Sequence, residues 1–392
     1  MENVVIVSSA RTAVGSFGGS LKEYQAPDLG GFAIKSSVER AGLEPKDIDE
    51  VVMGCVATAA ENAFMARICS VNAGIPYEAG ALTVNRLCAS GLQSIVTAAM
   101  EINQGFANIV AAGGAESMSN IPFYLRKARF GYRMGNSVLE DGLITALTDP
   151  FSGSHMGLTA ENIAEKYNIS REEQDEYAFE SQKRAIAARD AGKFSDEIFP
   201  VEYRIDRKTK GIFENDEFIR DNSSLESLAR LRPAFKENGS VTAGNASGIN
   251  DAGAAMILMR ESEAKKRNIK PLVKIKDSAV AGVDPNYMGT GPIPATRKLF
   301  EKTGLTKDDI GLFELNEAFA AQAIACIREL ELDLDKVNVN GSGISIGHPI
   351  GATGAIITIK LINEMIRRQE QYGIATLCIG GGQGLSVLFE LC

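Results

Sequence analysis

Cys88 stands where the apolar run Ala81–Val84 turns into a helix that ends near Gly105. Free backbone N–H groups and the helix dipole at such a junction favour a thiolate over a thiol, which makes Cys88 a candidate nucleophile. Ser90 is placed to cap this helix, and Gly91 to let a substrate approach the backbone. A lone cysteine is more often a small buried hydrophobe, so the case rests on what accompanies it. His348 lies in Gly347-His348-Pro349-Ile350-Gly351-Ala352-Thr353-Gly354, a Gly-rich turn opening a helix over about 351–367. Cys378 ends a strand in Cys378-Ile379-Gly380-Gly381-Gly382-Gln383-Gly384. Consecutive glycines there expose N–H groups that suit an oxyanion hole. Asn316 opens the polar cluster Asn316-Glu317-Ala318-Phe319-Ala320. Taken singly, a histidine in a Gly-rich turn is more often structural and a cysteine ending a strand is more often core. Four polar or thiol positions at equivalent strand ends rarely coincide by chance, and a nucleophile with oxyanion donors is the chemistry they suit.

The elements that must position them alternate. Strands are expected at 4–8, 51–55, 81–85, 109–113, 255–259, 272–281, 312–315, 337–341, 375–380 and 385–390. Helices are expected at about 28–41, with Asp28 as N-cap, and about 89–104. From Ser117 to about Ser247 the chain is more charged and poorer in strands, although the capping box Ser170-x-x-Glu173 opens a clear helix that Gly192 stops. The two ends repeat. Ala41-Gly42-Leu43 through Ile48 matches Thr303-Gly304-Leu305 through Ile310, Val84-Asn85 has a counterpart at Val339-Asn340, and Ala111–Gly114 one at Ile379–Gly382. His348 then falls roughly where Cys88 falls in the first half. Two similar α/β halves with an insertion predict an active site where the halves meet.

With 392 residues, 45% hydrophobic and 23% charged, the chain is a globular protein large enough for two or three domains. Its net charge of −9 offers nothing to nucleic acid in bulk, so an anionic ligand needs a local basic patch. Six cysteines without paired spacing fit a reducing cytoplasm, and two histidines make a structural zinc site improbable. The longest uncharged stretch, between Lys336 and Lys360, is broken by glycine and proline and is no membrane span. The N-terminus enters the strand Val4–Val7 at once, without a signal-peptide pattern, and a cytoplasmic location is expected.

The blocks Cys88-Ala89-Ser90-Gly91-Leu92, Asn316–Ala320, Gly347–Gly354 and Cys378–Gly384 resemble the four signature blocks of the thiolase family, most like its short-chain acetoacetyl-CoA members. The resemblance runs from the first strand to the last residue. It implies a thiolase-like α/β fold: two core halves in five layers, α-β-α-β-α, with a loop domain inserted. Residues 1–118 with 250–270 would form one half, 119–249 the insert and 271–392 the other half. It implies reversible Claisen condensation of two acetyl-CoA, with coenzyme A thioesters as substrates, no cofactor and no metal. Cys88 would carry the acyl group, with His348 drawing off its proton. Cys378 would exchange a proton with the substrate α-carbon. Asn316, through a held water, and His348 would stabilise the enolate oxygen, and the N–H groups of Cys88 and Gly380 the tetrahedral intermediate. His155-Met156 and Met288 would form the short-chain pocket, and Leu147, Arg220, Ser227, Phe235, Ala243, Ser247, Ala318 and Phe319 would contact CoA. Arg204, Arg207, Lys208 and Lys210 add charge to the insert, either for CoA or as a solvated loop. A homotetramer, a dimer of dimers, is implied, with 121–135 as a candidate contact.

Asn62–Arg67 departs from the short-chain pattern towards longer-chain 3-ketoacyl-CoA thiolases, as does Thr83–Cys88, which leaves chain length open. Gly343-Ile344-Ser345-Ile346-Gly347 matches a serine-hydrolase elbow, but only His348 follows Ser345 and no acid lies between them. A nicotinamide-dependent dehydrogenase would want G-x-G-x-x-G after the first strand, where Ser8–Thr12 stands instead.

Overall fold

A computed structural model of the chain describes residues 2–392. The strand Val4–Arg11 (β1) is buried along its whole length, as a strand covered on both faces must be. It is followed by helix Ala26–Arg40 (α1), strand Glu50–Gly54 (β2), helix Met65–Asn72 (α2), strand Gly80–Val84 (β3), helix Ser90–Gln104 (α3) and strand Ile109–Ser117 (β4). The insert carries helices Met156–Lys166 (α4) and Arg171–Asp190 (α5). Strand Asn250–Arg260 (β5) returns to the first half. Strand Val273–Gly282 (β6), helix Pro292–Thr303 (α6), strand Leu312–Leu315 (β7), helix Ala320–Leu330 (α7), helix Thr353–Arg368 (α8) and strands Tyr372–Ile379 (β8) and Gln383–Leu391 (β9) build the second.

Hydrogen bonding runs β3-β2-β4-β5-β1 in the first half and β7-β8-β9-β6 in the second. The halves join where Val4, Val5 and Ile6 pair antiparallel with Ile275, Lys274 and Val273. A fifth strand expected at 337–341 does not form. The segment makes a local bridge between Val339 and Gly341 and one parallel bridge to the sheet, Phe313 with Val337. Beyond it the Asn338 amide bonds both the N–H (2.9 Å) and the C=O (2.8 Å) of Leu315, taking the place of the backbone ladder.

Alternate residues of β5 face opposite ways, as the pleat requires. Met256 and Leu258 join Leu92 and Ile95 of α3, Ile356 and Ile359 of α8, and Leu377 and Leu385 of the second sheet in one central core. Ile257 and Met259 pack instead with Leu29 and Ile34 of α1. Leu299 of α6 and Ile327 of α7 cover the far side of the second sheet. The result is five layers, with α3 and α8 in the middle one.

These two helices meet at their N-termini through glycine. A Cβ on Gly91 would lie 2.9 Å from Ala355 N, and one on Gly354 2.2 Å from Leu92 N. This contact pairs Gly91 with Gly354, so the counterpart of Cys88 is Gly351 and that of His348 is Asn85. The equivalence drawn from sequence is one turn out. The glycine match also shifts. Ala111 pairs with Val51 and Ile374 with Phe313, so Ala111 corresponds to Ile374, and Gly380–Gly382 lie beyond the strand end.

Helix α1 begins at Ala26 rather than Asp28, because Pro27 presets helical φ in the first turn. Gln25 is its N-cap, and Asp28 accepts from the Gln25 N–H at 3.0 Å. Helix α5 starts as expected, with Ser170 accepting from Glu173 N, but the Glu173 carboxylate pairs with Arg328 instead of returning to the cap. Arg11, fully buried at the end of β1, ties the insert to the core through Glu197 (2.9 Å) and Asp216 (2.8 Å). Among the described residues no helix is long and apolar enough to cross a membrane, and no group of three or more His, Cys, Asp or Glu could hold a metal ion.

Candidate active site

The turn before α3 presents Cys88. Leu87 sits at φ +46°, a left-handed conformation that costs a branched side chain roughly 1–2 kcal/mol. Side chains on both sides hold it there. Asn85 Oδ1 accepts from Leu87 N (2.9 Å), while Ser90 Oγ accepts from Arg86 N (2.9 Å) and donates to Leu87 O (2.7 Å). The N-cap of α3 is Ala89, without a side-chain bond, so Ser90 braces the nucleophile turn instead of capping the helix.

The backbone N–H groups of Cys88 and of Gly380, from opposite halves of the molecule, approach the Cys88 sulfur. Both lower its pKa, but burial outweighs them and the nearby Glu116 carboxyl adds to the rise. The thiolate expected from the helix N-terminus is therefore not the resting state. Desolvation keeps Cys88 a thiol that needs a base, although part of its surface stays open to the cavity.

His348, on the same cavity wall, is the candidate for that base. Its backbone N–H donates to Asn250 Oδ1 (2.9 Å). Thr353 Oγ1 donates its single proton to Pro349 O (2.9 Å), so it accepts from His348 Nδ1–H at 2.7 Å. The tautomer is thereby set, with the Nε2 lone pair accepting from Asn316 Nδ2 at 3.4 Å. Burial lowers the His348 pKa to about 4, so the ring is neutral and basic near pH 7. Asn316 is buried, and its Oδ1 has no hydrogen-bond partner in the protein.

Cys378, at the end of β8, is fully buried among Met156, Met288, Ala318 and Phe319. Burial raises its pKa well above the usual thiol value, and the charge of a Cys88 thiolate would raise it further.

Cys88, His348 and Cys378 share the wall of one cavity of about 520 Å³. Leu147, His155, Met156 and Met288 line it, as do Phe235, Ala243, Ser247, Ala318 and Phe319. His155 stacks on Phe235 (4.9 Å, 15°), and Phe235 meets Phe319 edge-on at 6.1 Å. The His155 ring caps α4 by accepting from Gly157 N at 3.1 Å. Arg220 reaches the cavity with its guanidinium over Phe218 (4.7 Å) and, among the described residues, without a carboxylate partner. Ser227 is exposed and outside the wall. Its hydroxyl donates to Ser224 O and accepts from Ser224 N, closing a small cap. Arg204 and Lys210 belong to a surface hairpin, paired with Glu23 and Glu202, and neither they nor Arg207 and Lys208 line the cavity. Asn62 and Arg67 also lie off the wall, on the backbone oxygens of Ala57, Ala79 and Tyr77. Phe17, Met118, Phe218, Ile249 and Ile350 line the cavity without a sequence signal of their own. Thr353 and Asn250, which orient His348, were legible only as members of a motif and of a strand start. Ser345 of the elbow pattern is fully buried and bonds Ser181 at 2.9 Å, which removes it as a nucleophile.

A thiol, a neutral imidazole and a second thiol, gathered on one apolar cavity, are groups a cysteine-dependent acyltransferase would use. Residues 4–262 match the family model "Thiolase, N-terminal domain" and residues 269–391 the model "Thiolase, C-terminal domain". The chain belongs to the thiolase family. It is 50% identical over 389 residues to the beta-ketothiolase BktB of Cupriavidus necator, covering 99% of this chain and 98% of the relative. It is also 50% identical over 392 residues to the acetyl-CoA acetyltransferase of Syntrophomonas wolfei, with coverage of 99% and 98%. The crystal structure of the Bacillus anthracis acetyl-CoA acetyltransferase superposes with a TM-score of 0.98 at 45% identity, covering 100% of this chain and 99% of that one. Human mitochondrial 3-ketoacyl-CoA thiolase superposes with a TM-score of 0.97 at 44% identity, with the same coverage.

Proposed function

We propose that the chain is an acetyl-CoA acetyltransferase, interconverting two acetyl-CoA with acetoacetyl-CoA and CoA through an acetyl-Cys88 intermediate. The observation that carries this is the pair of thiols flanking a neutral His348 whose tautomer Thr353 sets. Written as thiolysis, His348 Nε2 takes the Cys88 proton and the sulfur attacks the 3-keto carbon. The C2–C3 bond breaks, and the departing enolate carbon takes the Cys378 proton, leaving acetyl-Cys88 and acetyl-CoA. The Cys378 thiolate then deprotonates incoming CoA, whose sulfur displaces the acetyl group. The Cys88 sulfur recovers its proton from His348. Burial holds Cys378 in the protonated state from which this direction starts. Asn316 and His348 face the enolate oxygen, Asn316 through a water, and the N–H groups of Cys88 and Gly380 receive the tetrahedral oxyanion.

The insert, residues 119–249, holds CoA, with Arg220 offering positive charge to its phosphates. Met156, Met288 and His155 bound the acyl end and favour a short chain over the 3-ketoacyl chains of fatty-acid degradation. Exposed Phe123, Phe130, Tyr132 and Met134 in the insert support a homotetrameric contact. The enzyme needs no cofactor beyond its CoA thioesters and works in the cytoplasm.

Incubation with acetyl-CoA should add one acetyl group to the Cys88 peptide, and Cys88→Ser should abolish turnover. Acetylation on Cys378, or full activity in the serine variant, would overturn the assignment. In a 3-ketoacyl-CoA series, acetoacetyl-CoA should be cleaved with a much higher kcat/KM than a six-carbon homologue. Equal values out to eight carbons would point to the longer-chain activity.

A further inference from the structure

Glu116, the penultimate residue of β4, is fully buried and has no role in the chemistry above. No cation pairs with it among the described residues. Its carboxylate instead collects donors from the loop after β2 and meets the turn before α8 of the other half. Oε2 accepts from Val56 N (2.9 Å), and Oε1 from Ala57 N (3.1 Å) and the Cys55 thiol (3.5 Å). Gly351, one residue before Ala352, the N-cap of α8, lies against it from the other half. A Cβ on Gly351 would sit 2.5 Å from Oε2, so the approach depends on glycine. The loop it grips leads onward to the nucleophile. Val56 O accepts from Asn85 Nδ2 (3.1 Å), and Asn85 Oδ1 holds Leu87 N. On the other branch, Gly351 lies three residues from His348.

We propose that Glu116 is a positioning residue, clamping the Cys88 turn and the His348 turn in register across the two halves. Each donor arrives from a loop with no ladder of its own at that point, so the carboxylate supplies the connection a shared strand would supply elsewhere. Burial moves its pKa up to about 7, while the Val56 and Ala57 N–H groups, which can only donate, favour the charged acceptor. The inference rests on Cys88 as the acylated residue.

The test is single-turnover acetylation of Cys88 by acetyl-CoA, followed by intact mass over a range of concentrations. In Glu116→Gln the amide turns N–H towards N–H donors on one side. The limiting rate should fall by about ten-fold or more, as expected for losing a hydrogen bond to a charged acceptor. The half-saturating concentration should change less than about two-fold, because the CoA cradle of the insert is untouched. Asn85→Ala, on an exposed side chain, should reproduce this split, and the double variant should lose less than the product of the two singles. Wild-type rates in either single variant, parallel loss of saturation, or multiplicative losses would overturn the clamp. If Glu116→Gln does not fold, Asn85→Ala alone decides between the split and its absence. A wild-type protein that takes no acetyl group at Cys88 would instead refute the proposed acetyl-Cys88 intermediate.

Discussion

Thr353→Val replaces a hydroxyl with a methyl of the same shape and removes the only acceptor for His348 Nδ1–H. The site is buried, so the stranded N–H costs about 1–3 kcal/mol. The ring can avoid that cost by moving its proton to Nε2, where the unpartnered Oδ1 of Asn316 becomes an acceptor if the amide turns over. That tautomer has no lone pair for the Cys88 proton. Acylation would then proceed from the minor tautomer, and the penalty corresponds to a slowing of roughly 5–150-fold. Binding of acetyl-CoA should be unaffected, because Thr353 lies outside the cavity wall. Rapid-quench measurement of acetyl-Cys88 formation at saturating acetyl-CoA reads the rate directly. Thr353→Ser, which keeps the hydroxyl, should recover most of it. A valine variant that acylates at the wild-type rate, or a serine variant as slow as valine, would refute tautomer control by this residue.

Cys378→Ala should still form acetyl-Cys88 and exchange acetyl groups between CoA species, while condensation falls by roughly 10²–10⁴-fold, the usual contribution of a general base; normal condensation would assign the base elsewhere. Glu364 is held down to about pKa 2, against its burial, by Asn340, Arg368, Arg367 and Lys193. A depressed carboxylate contributes stability above its unfolded pKa and loses it as pH falls through the folded one. Glu364→Gln should therefore lower unfolding free energy at pH 7 by about 2 kcal/mol after discounting for solvent screening. The deficit in urea melts should shrink between pH 4.5 and pH 2, and a deficit independent of pH would contradict the ionic origin. Gly354→Ala would drive a methyl into Leu92 N and should abolish soluble folding or separate α3 from α8; a variant with the parent melting temperature would show that the helix contact is looser than described.

The chemistry of this chain was legible because it is written in local motifs. A cysteine between a strand and a helix, a Gly-rich turn with histidine and a strand ending in glycines each report their own backbone geometry. The repeat of Gly42 at Gly304 made the two halves visible, since a duplicated unit preserves its turns. What the motifs could not report was environment. Cys88 looked like a thiolate from its helix position, but desolvation is a property of everything that surrounds it, and burial outweighs two N–H groups. The exact correspondence of the halves was likewise hidden, because it depends on which glycines let α3 and α8 touch. Asn338 took the place of an expected strand through a side-chain amide that no periodicity reveals. Glu116 carried no signal, since the groups around it, Cys55–Ala57 and Gly351, are far from it in the chain. Local sequence determined which groups are present and which way each turn points. Only the packing of one half against the other decided their protonation states and brought both thiols and His348 to one wall.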